Sequence, residues 1–247
     1  MAIKNIFRME LFKNINDKLY LMMIGVLTVL GAISTGLIMQ TIHSRGDNEF
    51  LIVLTVILSI FSGLGIGIFL VLYPFHLLNV DYKNKVMSLM FASGVSRNAY
   101  YLVKILATIL CNVLVGIVML FIPFVTLIVV NKEMVLEIMR SFMNNITDFN
   151  FYGLAINGIL GIISSTVMLT TAVILTRGKM SGIFLYIGFS MIVSIITSFV
   201  TLILVFAISG ANSSPNGILQ PLQLILSLVQ IAAFTFLGLQ ALKKQDL

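Results

Sequence analysis

Apolar residues run along this chain in six long blocks, each closed off by a cluster of charge or of turn-forming residues. About 20 consecutive apolar residues carry a helix across the hydrocarbon layer of a bilayer. The blocks, at about residues 21–39, 50–78, 102–130, 151–176, 181–208 and 218–242, are all of that order, so the pattern predicts six spanning helices. Residues 180–242 carry no charge, a stretch too long for one crossing and right for two. Ser209, Gly210, Asn212, Ser213, Ser214, Pro215, Asn216 and Gly217 fold it into a hairpin.

Three shorter segments show helical periodicity between or before these blocks. In residues 1–20, Ile3, Phe7, Leu11, Ile15 and Leu19 step by four with Lys4, Arg8 and Lys18 mostly off the stripe, which predicts an amphipathic helix lying on a membrane surface. In the connection 79–101, Val86, Met87, Met90 and Phe91 recur at one face of a short helix, with Asp81, Tyr82, Lys83 and Lys85 before it and a break at Gly94 followed by Arg97. A loop that only turned the chain would need neither that patch nor that length. Two uses stay open for it: docking of a soluble partner, or packing against the bilayer or the chain's own N-terminal helix. In 131–150, Met134, Ile138, Phe142 and Ile146 step by four beside Met139 and Met143, giving a third amphipathic segment on the opposite side. It is either an interfacial cap or an outer gate whose Met-rich face adapts to hydrophobic cargo.

Composition supports the membrane reading. Of 247 residues, 59% are hydrophobic and 10% charged, and the mean hydropathy is +1.10. The connections are too short to hold a nucleotide-hydrolysing domain, and no GxxxxGK[ST] phosphate loop occurs. The chain therefore has no ATPase site of its own. The net charge of +6 reads as basic membrane-flanking loops, not as a nucleic-acid surface. Of the 15 Lys and Arg, only Arg45, Lys132 and Arg140 fall on one side of the six-span topology, which places the other side, with both termini, in the cytoplasm. Tyr20, Tyr73, Tyr82, Tyr100, Tyr101 and Tyr186 collect near that inner face as expected interfacial anchors. Neither an internal repeat nor a cleavable leader is evident.

Chemistry-bearing constellations are sparse. His43 and His76 have no partner at ligand spacing, and Cys111 is alone, so metal and thiol redox sites are not expected. Counting Lys104 with the cytoplasmic connection, the spans are read as free of Asp, Glu, Lys and Arg, which disfavours an ion-coupled carrier. No Ser/His, paired-Asp or His-Glu-x-x-His set suits an intramembrane hydrolase. The polar residues left inside are chiefly Asn112, Asn157, Gln220, Gln223 and Gln230. Gln223 and Gln230, seven apart, share a helix face and could line a substrate path or bond between helices. Gly63 and Gly67 are expected to form a GxxxG helix contact.

The segment 81–104, an acidic residue, a short apolar helix, the turn Gly94-Val95-Ser96-Arg97 and then Tyr100-Tyr101-Leu102-Val103-Lys104, resembles the membrane subunits of type-2 ATP-binding-cassette (ABC) exporters. Those permeases share an N-terminal elbow helix, six spans and internal termini, so the resemblance extends over the whole chain. It implies that 81–97 is a coupling helix seated in a cleft of a separate ATPase, through Asp81, Tyr82, Lys85, Val86, Met87, Met90, Phe91 and Arg97. It further implies two ATPase copies that hold ATP and Mg, a second permease copy or paralogue, and a bacterial plasma-membrane location. Small size and the Lys, Asn and Ile bias look most similar to Gram-positive exporters of lantibiotics, for self-immunity, or of phenol-soluble modulins. That implies an amphipathic peptide or similar lipophilic cargo. The chain departs from the family in lacking a pair of short re-entrant helices between spans five and six, its larger outer loop lying between spans three and four. A non-transporting structural or sensory subunit is the main alternative.

Overall fold

In a computed structural model, residues 3–43, 49–130, 132–133, 136, 140, 149–209 and 216–245 are described. Among them the fold is all-helical: α1 (Ile3–Ile15), α2 (Lys18–His43), α3 (Glu49–Lys83), α4 (Val86–Ala92), α5 (Arg97–Val130), α6 (Phe149–Leu175), α7 (Ser181–Ser209) and α8 (Asn216–Lys244). Six of these helices, α2, α3, α5, α6, α7 and α8, contain stretches long and apolar enough to cross a membrane. The protein is thus built as a multi-pass membrane protein. Met134, Ile138, Phe142 and Met143, the expected outer gate, lie outside the described residues.

The ends of the elements follow from their sequence. Asp17 caps α2, its Oδ1 accepting from the Leu19 amide at 2.9 Å, and Ser96 caps α5 through a 3.3 Å bond from the Ala99 amide. Helix α4 stops in a Schellman turn: the Gly94 amide donates to Phe91 O and the Val95 amide to Met90 O, with Gly94 at φ +86°. Val95 and Met90 are both buried in one apolar cluster, the contact that accompanies this motif. Helix α6 ends the same way at Arg177 and Gly178, both at positive φ, which turns the chain tightly into α7.

Helix α3 runs one turn past the expected end of the second span, carrying Asp81 and Tyr82 on helix instead of loop. The pattern of apolar residues placed the boundary at the first charge. Here the charge is paired, so nothing obliges the helix to stop.

Packing is uneven. Helix α6 lies against α8 and, less extensively, α7, α3 and α5; α2 lies between α3 and α5; α1 runs along α5. The principal apolar cluster joins Phe75 and Leu78 of α3, Met87 and Met90 of α4, Tyr100 and Val103 of α5, Val173 of α6, Leu242 of α8 and Ile6 of α1. All of these lie toward one end of the bundle, the end that holds α4. Farther along, α3 and α7 present long exposed rows such as Val53, Ile57, Phe61, Ile192, Ile195 and Phe199. In water these would be an aggregation hazard; lipid tails, which are as apolar as the side chains themselves, solvate them without cost.

Several expectations change at this level. Tyr20, Tyr73, Tyr100 and Tyr101 are buried and pack in the helix core instead of standing at a lipid interface. Tyr73 stacks on Phe69, and its hydroxyl donates to Asn14 O at 2.9 Å, while that of Tyr20 donates to Cys111 O at 3.0 Å. A Cβ at Gly63 or Gly67 would meet nothing, so the GxxxG pair makes no contact within the chain; Gly65 is the close approach, where an added Cβ would come 2.7 Å from Leu27 Cδ2. Helix α1 is amphipathic in an inverted sense. Its buried side is Ile6, Glu10 and Asn14, whereas Met9 and Phe12 are exposed, Phe12 at 70%.

Candidate functional site

The residues singled out in the sequence fall into two places. At the α4 end, helices α1, α3 and α5 converge on a buried charge cluster. Lys104 of α5 donates to Glu10 Oε2 of α1 at 2.7 Å and to Asp81 Oδ2 of α3. Lys13 of α1 donates to Asp81 Oδ1, and the Tyr100 hydroxyl to Asp81 Oδ2 at 3.1 Å. Asp81, Glu10 and Lys104 are at most 1% exposed. The spans are therefore not free of charge, since Lys104 lies inside the predicted third span and Asp81 on the helix of the second. Two carboxylates meet two ammonium groups, and this compensation is what lets them be buried.

Helix α4 sits just outside that cluster. Met87 and Met90 are buried in the core, Val86 and Phe91 are partly buried against it, and Leu89 on the other side of the helix is 68% exposed. The apolar face read as sticky is thus largely used within the chain. Met87 and Met90 pack in a cluster with residues of α3, α5, α6 and α8 and with Ile6 of α1. Asp81 is internal too, held by Lys13, Lys104 and Tyr100 in the charge cluster. Arg97 is also spent internally: its Nη1 donates to the carbonyls of Leu242, Lys243 and Gln245 at 2.7, 2.9 and 2.8 Å, and its guanidinium lies 5.5 Å from the Phe91 ring centre. Cations at a helix C-terminus complement its unpaired carbonyls. Tyr82 donates to Gln245 Oε1 at 3.0 Å, and Gln245 in turn donates to Ile174 O of α6. Helix α4 and its flanks are consequently stitched to the ends of α3, α5, α6 and α8. The solvent-facing remainder includes Lys83, Asn84, Lys85 and Leu89, followed by Ala92, Ser93, Gly94 and Ser96.

The second place is a cleft of about 800 Å³ between α7 and α8, floored by α6. Its lining includes Asn157, Gln223 and Gln230, three of the four residues expected on a path, together with Thr197, Ser198, Thr201 and Ser227. Asn112 stands apart: it is buried, with Nδ2 3.4 Å from Thr166 Oγ1 between α5 and α6. Asn157 Nδ2 lies 3.4 Å from Gln223 Oε1, and Gln230 Nε2 lies 4.0 Å from Met168 Sδ. Asn157 Oδ1 is buried with no partner among the described residues.

Sequence reasoning missed Glu10, Lys13 and Lys104 as a set, and the hydroxyls of the cleft. A signal existed for the latter: Ser194, Thr197, Ser198 and Thr201 recur at three and four, one face of a helix. Residues that could hold a metal ion do not cluster among those described. Compared with protein-family models, curated proteins and solved structures, the chain finds no match. The reading of its activity rests on its own residues.

Proposed function

We propose that the chain is the membrane-spanning permease subunit of an ATP-driven ABC-type exporter, set in a bacterial plasma membrane with both termini inside. It moves amphipathic peptides or similar lipophilic cargo outward. ATP and Mg are held by a separate ATPase present in two copies, and a second permease copy or paralogue completes the path. This chain contributes no catalytic residue.

The observation that carries the reading is the seating of α4. A short helix between the second and third spans is fixed through Met87 and Met90 to the core and through Arg97 to the end of α8, while Leu89 and the lysines beside it remain outside. A partner that grips the outer face and moves would move α3, α5 and α8 together. Helix α1, tied to both α3 and α5 by the charge cluster, fits the elbow helix of the same scheme. The rival reading as an ion-coupled carrier gains nothing from that cluster, because both carboxylates are already engaged by lysines.

Leu89→Asp tests the reading. It disturbs an exposed position and leaves the inward face intact, so the variant is expected to insert normally, lose ATPase co-purification and lose export. Met90→Asp cannot serve, since it would place a charge in the core and unfold α4 first. Unchanged co-purification by correctly inserted Leu89→Asp would remove α4 as the transmission element.

A further inference from the structure

Resting on the exporter reading, we infer that the α7–α8 cleft is a cargo site that recognises the uncharged backbone amides of a peptide, not its charges. Asn157, Gln223 and Gln230 bring carboxamides from α6 and α8 into one space. Among the described residues they are poorly satisfied: the Asn157–Gln223 contact is long at 3.4 Å, the hydrogen-bond contact seen for Gln230 Nε2 is a thioether at 4.0 Å, and Asn157 Oδ1 is buried and accepts nothing. Polar groups held at membrane depth without partners are costly, so their presence calls for a ligand that pairs with them.

The chemistry of that ligand follows from what remains free. Thr197 and Thr201 spend their protons on the carbonyls of Val193, Ser194 and Thr197 within α7, which leaves their oxygens as acceptors. The amide nitrogens of Gln223 and Gln230 are donors. Among the described lining residues there is no Asp, Glu, Lys, Arg or His, so an ammonium or carboxylate would enter uncompensated. The fitting group is neutral and both donates and accepts, as a peptide amide does. Ester carbonyls of a phospholipid only accept and would leave Asn157 Oδ1 orphaned. Leu202, Phe206 and Leu226 supply an apolar wall for the side chains beside such an amide. On the predicted topology the cleft lies in the outer half of the membrane, since Asn157 and Gln223 are each within about three turns of the outward ends of their helices. It would therefore engage cargo late in export.

The test uses the full chain without the ATPase, reconstituted in phospholipid nanodiscs. The probe is a short synthetic peptide of Leu, Ala and Ser with a terminal Lys pair, too short to close its own amides into a helix. A cysteine introduced by Ser198→Cys reports cleft occupancy by its reaction with a thiol reagent, the native Cys111 being buried. The peptide is expected to slow that reaction, with half-protection needing about tenfold more peptide after Gln223→Met or Gln230→Met, the loss of about one hydrogen bond. The same peptide N-methylated at its central amides should protect about tenfold less well. Swapping the terminal Lys pair for Ser should change protection little. Equal protection by the N-methylated peptide would overturn the proposal. So would protection by added phospholipid alone, which would make the cleft a lipid site, or no protection of Ser198→Cys in the otherwise unmodified chain, an outcome independent of whether the Gln variants fold. Because no ATPase is present, failure here leaves the Leu89→Asp result standing, and the two readings fail separately.

Discussion

Lys104 meets two carboxylates from two other helices, and removing its ammonium leaves Glu10 and Asp81 buried with the partly exposed Lys13 as their one cation among the described residues and the Tyr100 hydroxyl as a further donor to Asp81. Breaking a buried pair by removing one partner typically costs about 3–5 kcal/mol, whereas replacing the whole set by neutral groups costs much less. Lys104→Met is accordingly expected to lower the thermal midpoint of the detergent-solubilised protein strongly, and adding Glu10→Gln with Asp81→Asn should recover most of the loss. A single variant as heat-resistant as the unmodified chain would show that the cluster carries no stability. None of this was legible in the sequence, where Asp81 was expected to face a partner ATPase and Lys104 was counted as a flanking charge of the cytoplasmic connection. Glu10 and Lys104 are 94 positions apart, and a count of charges along a line cannot see that three helices bring them together.

At the scale of elements, the helices and their punctuation were largely readable. Six apolar blocks became six spanning-length helices, and Gly94 marks the end of α4 because only a residue tolerant of positive φ suits that Schellman turn. Which face of a short helix is used was not readable. Val86, Met87, Met90 and Phe91 form an apolar face whether it meets a partner or the chain's own core, and the choice depended on Ile6, Leu78 and Leu242 being nearby. Likewise the seven-residue spacing of Gln223 and Gln230 placed them on one face, but the space they line exists only because α7 and α8 both pack on α6. A close crossing sits at Gly238 of α8, where a Cβ would press on the Tyr101 hydroxyl and come 2.9 Å from Thr171 Oγ1. Thr171 Oγ1 donates to Phe234 O at 2.8 Å across the same seam. Gly238→Val should cost about 1–3 kcal/mol through overpacking, seen as a lower thermal midpoint, with Gly63→Val as the matched control that meets open space. Equal midpoints for the two variants would mean that the α5–α6–α8 seam is not tightly packed.

For the molecule as a whole, the orientation rests on the lopsided distribution of Lys and Arg, and it has a direct measurement. Cysteines introduced by Asn48→Cys, Asn145→Cys and Ser213→Cys should react with an impermeant thiol reagent in intact cells, whereas Lys85→Cys should react only after the membrane is opened. Labelling of Lys85→Cys in intact cells would invert the topology and with it the assignment of α4 to an internal partner. The charge cluster also sets an order on biogenesis. Its residues arrive at very different times during translation: Glu10 and Lys13 with the first helix, Asp81 at the close of the third, Lys104 only when α5 emerges. Until then a nascent chain that has inserted its first two spans carries Glu10 and Asp81 with Lys13 alone to offset them, and α1 has no α5 to lie along. Helix α1, the first to be made, thus cannot complete its seat until α5 has emerged, and burial of Glu10 and Asp81 is favourable only from that point, when Lys104 arrives to pair with both.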